Sequence, residues 1–345
     1  MMEEFLNLEI RDDSSTPKYK QIVNSIISKI EVGSIKYGQK LLSINKLSIH
    51  YVLARDTVER AYNELKNQGI IEAVMGKGYY VINANPQSRL KVLVLFNKLS
   101  SYKKVIFNSL SHELSDKAHI DLFIYHCNYE LFEKILTERI ATYNYYVIMP
   151  HFIDYNLKAF EKVLKRLPKE KVILLDNNIE GIDHYQGLIY QDFKMDIHDA
   201  LVQGLSQIKK YKQLIMVFPE NENYPYPKEI VVGFRRFCTF NEINSEVVSE
   251  IRPDAKIEKD VAYVVIEEND LINLIKQTSA AGYNLGTDVG VISYNDTPLK
   301  EVLTGGISVI TTDFEKMGSL AANVILKNEP LKVKNDFKLI PRNTL

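Results

Sequence analysis

Apolar residues recur at helical spacing between residues 54 and 69. Four of them fall at positions i, i+3, i+4 and i+7, on one face of a helix: Val58, Ala61, Tyr62 and Leu65. The positions between them are polar and should face solvent, and Gly69 is suited to end the helix because glycine adopts left-handed backbone at little cost. An earlier short helix is expected over residues 43–51. The pattern therefore predicts two short helices in tandem, separated by one turn.

Two short apolar runs follow the second helix and flank a tight basic turn. Residues 70–75 and 79–82 are typical of strands, and Gly76, Lys77 and Gly78 supply the turn between them. Two helices followed by a hairpin are typical of a winged helix-turn-helix, whose second helix enters the DNA major groove. The same pattern also fits a purely structural module, so both interpretations stay open on the pattern alone.

From residue 90 onward, short apolar runs alternate with longer amphipathic stretches. The runs that predict strands cover residues 92–96, 120–125, 145–149, 172–176, 187–190, 214–218, 262–266 and 289–294. The stretches that predict helices include residues 102–117, 155–167 and 192–210. Strand and helix in alternation favour parallel, doubly wound α/β sheets. Eight such strands are more than one sheet accommodates comfortably, so two lobes are expected, with a ligand beyond the carboxyl ends of their strands.

These patterns predict four segments. Residues 1–15 form an N-terminal arm, residues 16–82 an α+β winged helix-turn-helix, residues 83–89 a polar linker containing a proline, and residues 90–345 a two-lobed α/β domain.

Charge is distributed unevenly along the chain. The formal net charge is -1, yet residues 15–84 hold ten Lys and Arg against five Asp and Glu. A basic head on a neutral-to-acidic body is suited to contact with phosphate through the head alone. The N-terminus lacks a signal-like apolar core, and no apolar run is long enough to span a membrane. A cytoplasmic protein without a membrane partner is expected.

Candidate chemistry for catalysis or metal binding is sparse. Cys127 and Cys238 have no metal spacing and are expected to be buried free thiols. The first predicted strand of the body is followed by Asn97-Lys-Leu-Ser100 and not by a glycine-rich phosphate loop, and neither a Walker motif nor a Gly-x-Ser-x-Gly elbow is present. The histidines are scattered singly. No catalytic residue, metal or cofactor is therefore predicted, and the chain is not expected to be an enzyme.

Residues 16–82 resemble the winged helix-turn-helix of the GntR family along their whole length. The resemblance rests on Pro17-Lys-Tyr-Lys-Gln-Ile22, on Gly33-x-x-x-x-Gly38-x-x-Leu41, on the Arg-x-Thr-Val segment at Arg55 and on the Gly-Lys-Gly wing. The chain departs from the family at Asn45 and Glu59, where arginine is frequent. The resemblance implies binding of operator DNA as a homodimer. The DNA-contacting residues that it implies are Ser43, Asn45, Arg55, Asp56, Thr57, Arg60, Gly76, Lys77 and Gly78.

The body resembles the effector domain of the LacI/GalR family, which is similar to periplasmic sugar-binding proteins. The resemblance is diffuse up to about residue 210 and becomes specific over residues 280–299, 311–323 and 339–345. It implies that residues 90–345 form an effector-binding domain of two lobes, lobe one over about residues 90–190 and 312–327 and lobe two over about residues 191–311. The lobes would be joined by crossing strands near Tyr190 and Thr311 and again near the C-terminus. It also implies a sugar in the cleft between the lobes.

Polar residues directly after predicted strands are the candidates for effector contact, since forked polar groups and aromatic faces recognise sugars. Asp176 stands where the family has a ligand-contacting aspartate, Asn295 where it usually has aspartate, and Glu267 where it often has asparagine. A family arginine is replaced by Ile230. The main candidates are Asn97, Tyr102, His151, Asp176, Tyr190, Glu220, Asn221, Glu267 and Asn295. Lys98 and Tyr224 follow the same strands and are candidates as well. Each of these residues could instead cap the helix that follows its strand.

Together these features predict a sugar-responsive transcriptional regulator with a monosaccharide effector, of which fucose or arabinose is the first candidate. The alternative is a sugar-modifying enzyme, or a plain sugar-binding protein, with an accessory DNA-binding head.

Overall fold

The computed structural model describes residues 8, 10–12, 14, 16–31, 33–82, 90–140, 142–220 and 224–345. Most of the predicted arm, the predicted linker over residues 83–89 and the candidate Asn221 lie outside the described residues. The chain divides into two compact units, Met1–Arg89 and Leu90–Leu345, which are described separately as the head and the body. Within the described ranges, no helix combines the length and the apolar character needed to cross a membrane.

The described part of the head contains three helices: α1 (Lys18–Glu31), α2 (Ile44–Tyr51) and α3 (Arg55–Asn67). The buried face of α3 consists of the four residues predicted from the spacing, Val58, Ala61, Tyr62 and Leu65. They pack on the apolar face of α1 in one core, and the Tyr62 hydroxyl donates to the Leu42 carbonyl at 2.8 Å. That bond ties α3 to the segment that enters α2, so it helps to fix the angle between the two short helices.

The wing is an antiparallel hairpin of β1 (Ile71–Val74) and β2 (Gly78–Val81). Gly76 and Gly78 have φ angles of 73° and 108°, which explains why the turn needs glycine. The Tyr79 ring packs edge-on against Tyr62, with the centroids 4.8 Å apart, and so joins the hairpin to α3. The predicted winged helix-turn-helix is confirmed.

Lobe one of the body is built on a six-stranded sheet. Its strands are β3 (Leu90–Phe96), β4 (Ala118–Ile124), β5 (Tyr145–Ile148), β6 (Val172–Asn177), β7 (Gly187–Gln191) and β13 (Leu331–Lys334), in the order β13-β7-β6-β5-β3-β4. All neighbouring strands are parallel. The helices of this lobe are α4 (Ser101–Leu114), α5 (Tyr129–Glu138), α6 (Leu157–Leu164) and α12 (Phe314–Lys327). Alternate residues of β3 belong to separate apolar clusters, as a sheet covered on both faces requires.

Lobe two is built on a second six-stranded sheet. Its strands are β8 (Gln213–Val217), β9 (Ser245–Val248), β10 (Val261–Val265), β11 (Val289–Tyr294), β12 (Ser308–Thr312) and β14 (Phe337–Ile340), in the order β14-β12-β11-β10-β8-β9. Its helices are α7 (Phe193–Gln203), α8 (Leu205–Ile208), α9 (Glu229–Phe240), α10 (Glu268–Ala280) and α11 (Pro298–Val302). The predicted two-lobed α/β architecture is confirmed, although β14 runs antiparallel to β12.

The chain passes between the lobes three times: after β7, after β12, and between β13 and β14. Asn335, which is buried in the third passage, joins all three. Its backbone N–H donates to the Tyr190 carbonyl at 2.7 Å, and its side-chain amide donates to Thr312 Oγ1 at 2.9 Å and to the Asp313 carbonyl at 2.7 Å. These bonds make the three passages one connected hinge.

Candidate functional site

The N-terminal end of α3 presents polar side chains to solvent. Arg55 and Asp56 are exposed and Thr57 is half-buried. The Arg55 guanidinium lies 4.0 Å from the Glu59 carboxylate one helical turn later, with both side chains well exposed. An exposed pair of this kind contributes little stability, so Arg55 remains available to other partners. Arg60 differs, because its guanidinium lies 3.9 Å from the ring centroid of Tyr19 on α1 and so has a packing contact within the head.

Two further predicted DNA contacts lie at the start of α2. Ser43 is the N-cap residue, and its Oγ accepts from the Lys46 backbone N–H at 3.2 Å. Asn45 is exposed, as is Lys46 beside it. Ser43 therefore has a structural role that the family motif alone does not reveal, and its hydroxyl has one acceptor position already in use.

The wing carries two lysines instead of the single predicted one. Lys77 is exposed in the turn between Gly76 and Gly78. Lys40 lies across the same hairpin: a Cβ built on Gly78 would lie 3.1 Å from Lys40 Cε. Sequence reasoning missed Lys40 because its position depends on an isolated bridge to Tyr80, forty residues further along the chain.

The body contains a cavity of about 450 Å³ at the carboxyl ends of the strands of both sheets. Five predicted effector residues line it: Tyr102, His151, Asp176, Glu267 and Asn295. The candidates Lys98 and Tyr224 line it too. Further lining residues, absent from the prediction, include Lys104, Gln191, Phe193, Tyr226, Glu268, Tyr294, Thr297, Lys300 and Phe314. The cavity is sugar-sized, and both lobes contribute to its walls.

Asp176 is the buried carboxylate of this cavity. It has left-handed backbone with φ of 74°, and His151 Nε2 donates to its Oδ2 at 2.6 Å while Gln191 Nε2 donates to its Oδ1. Burial on its own raises the pKa of Asp176, but His151, with the charge of Lys103 and the Gln191 amide, outweighs burial and holds that pKa below its ordinary value. The carboxylate is therefore charged and held in a fixed orientation, which suits an acceptor for ligand hydroxyl groups.

Aromatic rings form much of the remaining wall. Tyr102 stacks on Phe314 with centroids 4.8 Å apart, and Tyr224 lies 4.5 Å from Tyr226. The first pair depends on close packing of α4 on α12: a Cβ on Gly318 would lie 2.4 Å from the Ile106 carbonyl oxygen, so only glycine permits it. Flat rings of this kind pack against the C–H faces of sugars.

Several buried polar atoms of the lining residues have no hydrogen-bond partner among the described residues. Four of them belong to residues at the lobe-two wall and the first passage between the lobes: Gln191 Oε1, Tyr294 OH, Asn295 Oδ1 and Thr297 Oγ1. Buried polar groups are nearly always paired, so each such atom calls for an explanation. Two of the four are acceptors only and two are hydroxyl groups that can donate or accept, a combination that matches the hydroxyl groups of a polyhydroxylated ligand.

The other predicted effector residues lie elsewhere. Asn97 is buried behind the lining, where it accepts from Lys103 Nζ and its amide faces Cys127 Sγ at 3.4 Å. Tyr190 lines an adjacent cavity of about 410 Å³ that shares His151, Gln191 and Phe193 with the first. Glu220 is exposed and lines neither cavity, whereas Tyr224 and Tyr226 further along the chain line the first.

Some missed residues carried a usable signal. Gln191 is the last residue of β7 and Phe193 follows it at the first passage between the lobes, where the strand-end rule applies. Lys300 and Tyr226 lie on a helix and in a loop several residues beyond their strands, and no spacing rule indicates them. In the described part of the chain, no group of three or more His, Cys, Asp or Glu side chains is arranged to hold a metal.

Residues 18–81 match the family model described as bacterial regulatory proteins, gntR family. The repressor YtrA of Bacillus subtilis is 38% identical over 74 residues, which are 21% of this chain and 57% of that protein. The arabinose metabolism transcriptional repressor of Geobacillus stearothermophilus is 28% identical over 78 residues, 23% of this chain and 21% of that one. The chain thus spans about half or less of the length of these relatives.

Solved structures similar to this chain include the Lac repressor dimer bound to operator and the anti-inducer ONPF. The match has a TM-score of 0.59 at 14% identity and covers 77% of this chain and 99% of that one. A LacI regulator from Lactobacillus casei matches with a TM-score of 0.57 at 13% identity, covering 74% and 97%. The head is therefore a GntR-type winged helix-turn-helix, and the body has the two-lobed fold of LacI-type regulators.

Proposed function

We propose that this protein is a transcriptional regulator whose head binds operator DNA and whose body binds a small, polyhydroxylated effector in the cavity between its lobes. The observation that carries the proposal is the combination of a GntR-type head and a polar cavity in one chain. The cavity is lined by a fixed carboxylate, by stacked aromatic rings and by buried polar atoms that have no hydrogen-bond partner among the described residues. The cavity volume of about 450 Å³ is at the small end of ligand sites, which favours a monosaccharide.

A homodimer is the proposed active form, because one recognition helix reads only a few base pairs and a twofold dimer reads an inverted repeat. Exposed apolar side chains offer a contact surface: Leu299 and Val302 lie three residues apart on α11, and their side chains are 64% and 73% exposed. Large apolar groups at this spacing share one face of a helix.

The experiment uses the full chain and a DNA duplex selected from a random library. Fluorescence anisotropy measures the operator Kd in the absence and presence of each member of a monosaccharide panel that includes fucose and arabinose. At least one sugar should change the operator Kd, by a factor that is set by the ratio of its affinities for the two states of the body. Sugar turnover without an effect on DNA affinity would favour the alternative, an enzyme with an accessory head.

A further inference from the structure

Four lysine side chains surround the effector cavity. Lys98 and Lys104 line it from lobe one and Lys300 lines it from lobe two. Lys103 is buried beside the lining rings, with its Nζ 6.0 Å from the centroid of Tyr102 and 5.9 Å from that of Tyr224. Within the described ranges, none of the four forms an ion pair with a carboxylate.

The partners that these ammonium groups do have are neutral. Lys103 Nζ donates to Asn97 Oδ1, and Lys98 Nζ lies 3.5 Å from the ring centroid of Tyr224. Lys300 Nζ donates to the backbone carbonyls of Tyr294 and Asn295 at 3.0 and 2.8 Å. Burial lowers the pKa of Lys103 to about 7 and that of Lys300 to about 8, because removal of these ammonium groups from water outweighs the attraction of Asp176 for the first and of Glu268 and Asp296 for the second.

The carboxylates near the cavity attract these lysines from beyond ion-pair distance, and several of them have closer partners of their own. Both oxygens of Asp176 accept from His151 and Gln191, and Glu267 Oε1 accepts from the Tyr226 hydroxyl at 2.7 Å. Glu268 lies in the first turn of α10, where a negative charge complements the positive end of that helix. The first turn of α4 has no acidic residue and contains Lys103 and Lys104 instead, so its positive end adds to the lysine charges.

Buried hydroxyl groups on the lobe-two wall of the cavity are also suited to bind an anion. Tyr294 and Thr297 of lobe two line the cavity, are more than nine-tenths buried and have unpaired hydroxyl groups among the described residues. A hydroxyl can donate to an anion, and Lys300 beside them retains one N–H beyond the two that its carbonyl partners use.

We infer that the effector is an anionic sugar derivative, whose phosphate or carboxylate is held by Lys98 of lobe one and Lys300 of lobe two while Asp176 and the aromatic rings hold the sugar itself. This inference rests on the proposed function, and it replaces a neutral monosaccharide by a charged one. An anion that binds a lysine from each lobe favours the closed arrangement, because both charges are satisfied only when the lobes approach.

The test compares matched ligands on the full chain. Isothermal titration calorimetry measures glucose, glucose 6-phosphate and glucuronate, and the corresponding forms of fucose and arabinose, with inorganic phosphate as the sugar-free probe. An anionic derivative should bind at least tenfold more tightly than its neutral parent, and its affinity should fall as salt is raised. The phosphate and carboxylate arms distinguish the two sources of negative charge.

Lysine variants test whether Lys98 and Lys300 bind the anionic group of the effector. Lys98→Gln should weaken binding of the anionic derivative about tenfold without changing affinity for the neutral parent, and Lys300→Gln should do the same. Lys276→Gln, an exposed lysine of lobe two outside the cavity, is the matched control and should have no effect. Lys98 is half-buried, so its variant remains informative if the Lys300 variant fails to fold.

Two results would overturn the inference in distinguishable ways. Tight binding of a neutral sugar, with no gain from a negative group, would reject the anionic effector and leave the proposed regulator intact. Failure of every sugar and derivative to bind, while operator DNA still binds, would reject the sugar cavity as well.

Discussion

Val52 lies in the turn between α2 and α3 with backbone that a β-branched residue rarely adopts. Its φ of 51° and ψ of 48° are left-handed, and its side chain is 92% exposed, so little packing offsets the strain. Left-handed backbone costs an L-residue about 1–2 kcal/mol, and glycine avoids this cost. Part of the gain is cancelled, because glycine loses more conformational entropy on folding than other residues do. Val52→Gly should therefore stabilise the head by roughly 0.5–1 kcal/mol in urea denaturation. Val52→Ala retains the Cβ and should gain much less; equal gains would contradict the strain argument.

Ala54, two residues further on, leaves α3 without a side-chain cap. It is the N-cap residue and makes no capping hydrogen bond, whereas Ser43 caps α2. Serine at an N-cap is worth about 0.5–2 kcal/mol over alanine. Ala54→Ser should raise the unfolding free energy of the head by that amount, and Ser43→Ala should lower it similarly, as measured in the same titration. A null effect of both would mean that capping does not limit the stability of the head.

Tyr294 allows ligand binding and stability to be separated. Its hydroxyl is buried and unpaired among the described residues, so its removal in Tyr294→Phe should leave the body equally or more stable, since an unsatisfied buried group costs about 1–3 kcal/mol. The same change should weaken effector binding about tenfold or more. Tyr211→Phe is the control: its hydroxyl is also buried and unpaired within the described ranges, but it lies outside the cavity. Calorimetry measures effector affinity and thermal denaturation measures stability for both variants. Unchanged effector affinity in Tyr294→Phe would mean that its hydroxyl does not contact the effector.

Single residues show where sequence reasoning works and where it ends. Asp176 and Asn295 could be predicted because both lie at the carboxyl ends of strands, and both have left-handed backbone there, with φ of 74° and 60°. Glu220 also follows a strand, but it is exposed and does not line the cavity, whereas Tyr224 and Tyr226 further along the chain do. The strand-end rule locates an edge of the sheet but does not determine which loop residue turns inward.

Among the elements, α3 and the wing should differ in the kind of DNA contact they make. Arg55 at the start of α3 can reach guanine edges, so Arg55→Ala should weaken specific binding by about 1–3 kcal/mol. Lys77→Ala and Lys40→Ala should weaken binding to all sequences and reduce the salt slope by roughly 0.9 for each phosphate that the variant no longer neutralises. Lys66→Ala, in the last turn of α3, is the control. Equal weakening on specific and random DNA for Arg55→Ala would reject base readout.

Elements were predicted best where they are long and periodic. Most buried strands of both sheets carry continuous apolar runs and were found, as was the apolar face of α3. The buried strand β12 was missed, because only Val309 and Ile310 of its five residues are apolar. The edge strands β9, β13 and β14 were missed, because each has only four residues and β9 and β13 are partly exposed along their length. The predicted helix over residues 192–210 is in fact α7 and α8, which meet at Gly204.

At the scale of the whole molecule, α11 tests the proposed dimer. Leu299→Glu combined with Val302→Glu would place two charges on its exposed apolar face, and burying them in a contact would be costly. The doubly substituted chain should sediment as a monomer and bind an inverted-repeat operator far more weakly than the unmodified dimer. Val232→Glu, a similarly exposed apolar residue on α9, serves as the control. A doubly substituted chain that remains dimeric would mean that the copies associate through another surface.

The hinge at Asn335 is where effector binding and DNA binding should be coupled. Asn335 bonds to all three passages between the lobes, so the lobes can rotate only as these bonds adjust together. An effector that contacts both lobes favours closure by its differential affinity for the closed state, and linkage requires operator DNA to change effector affinity by the same factor.

Asn335→Ala removes the two side-chain bonds and leaves the cavity lining intact, so each ligand should still bind alone. The ratio of effector Kd values with and without operator should then move toward one, whereas Asn273→Ala, which removes a side-chain bond in lobe two away from the hinge, should leave it unchanged. If the unmodified protein binds effector equally well with and without operator, the two activities are uncoupled and the protein is not an effector-controlled regulator.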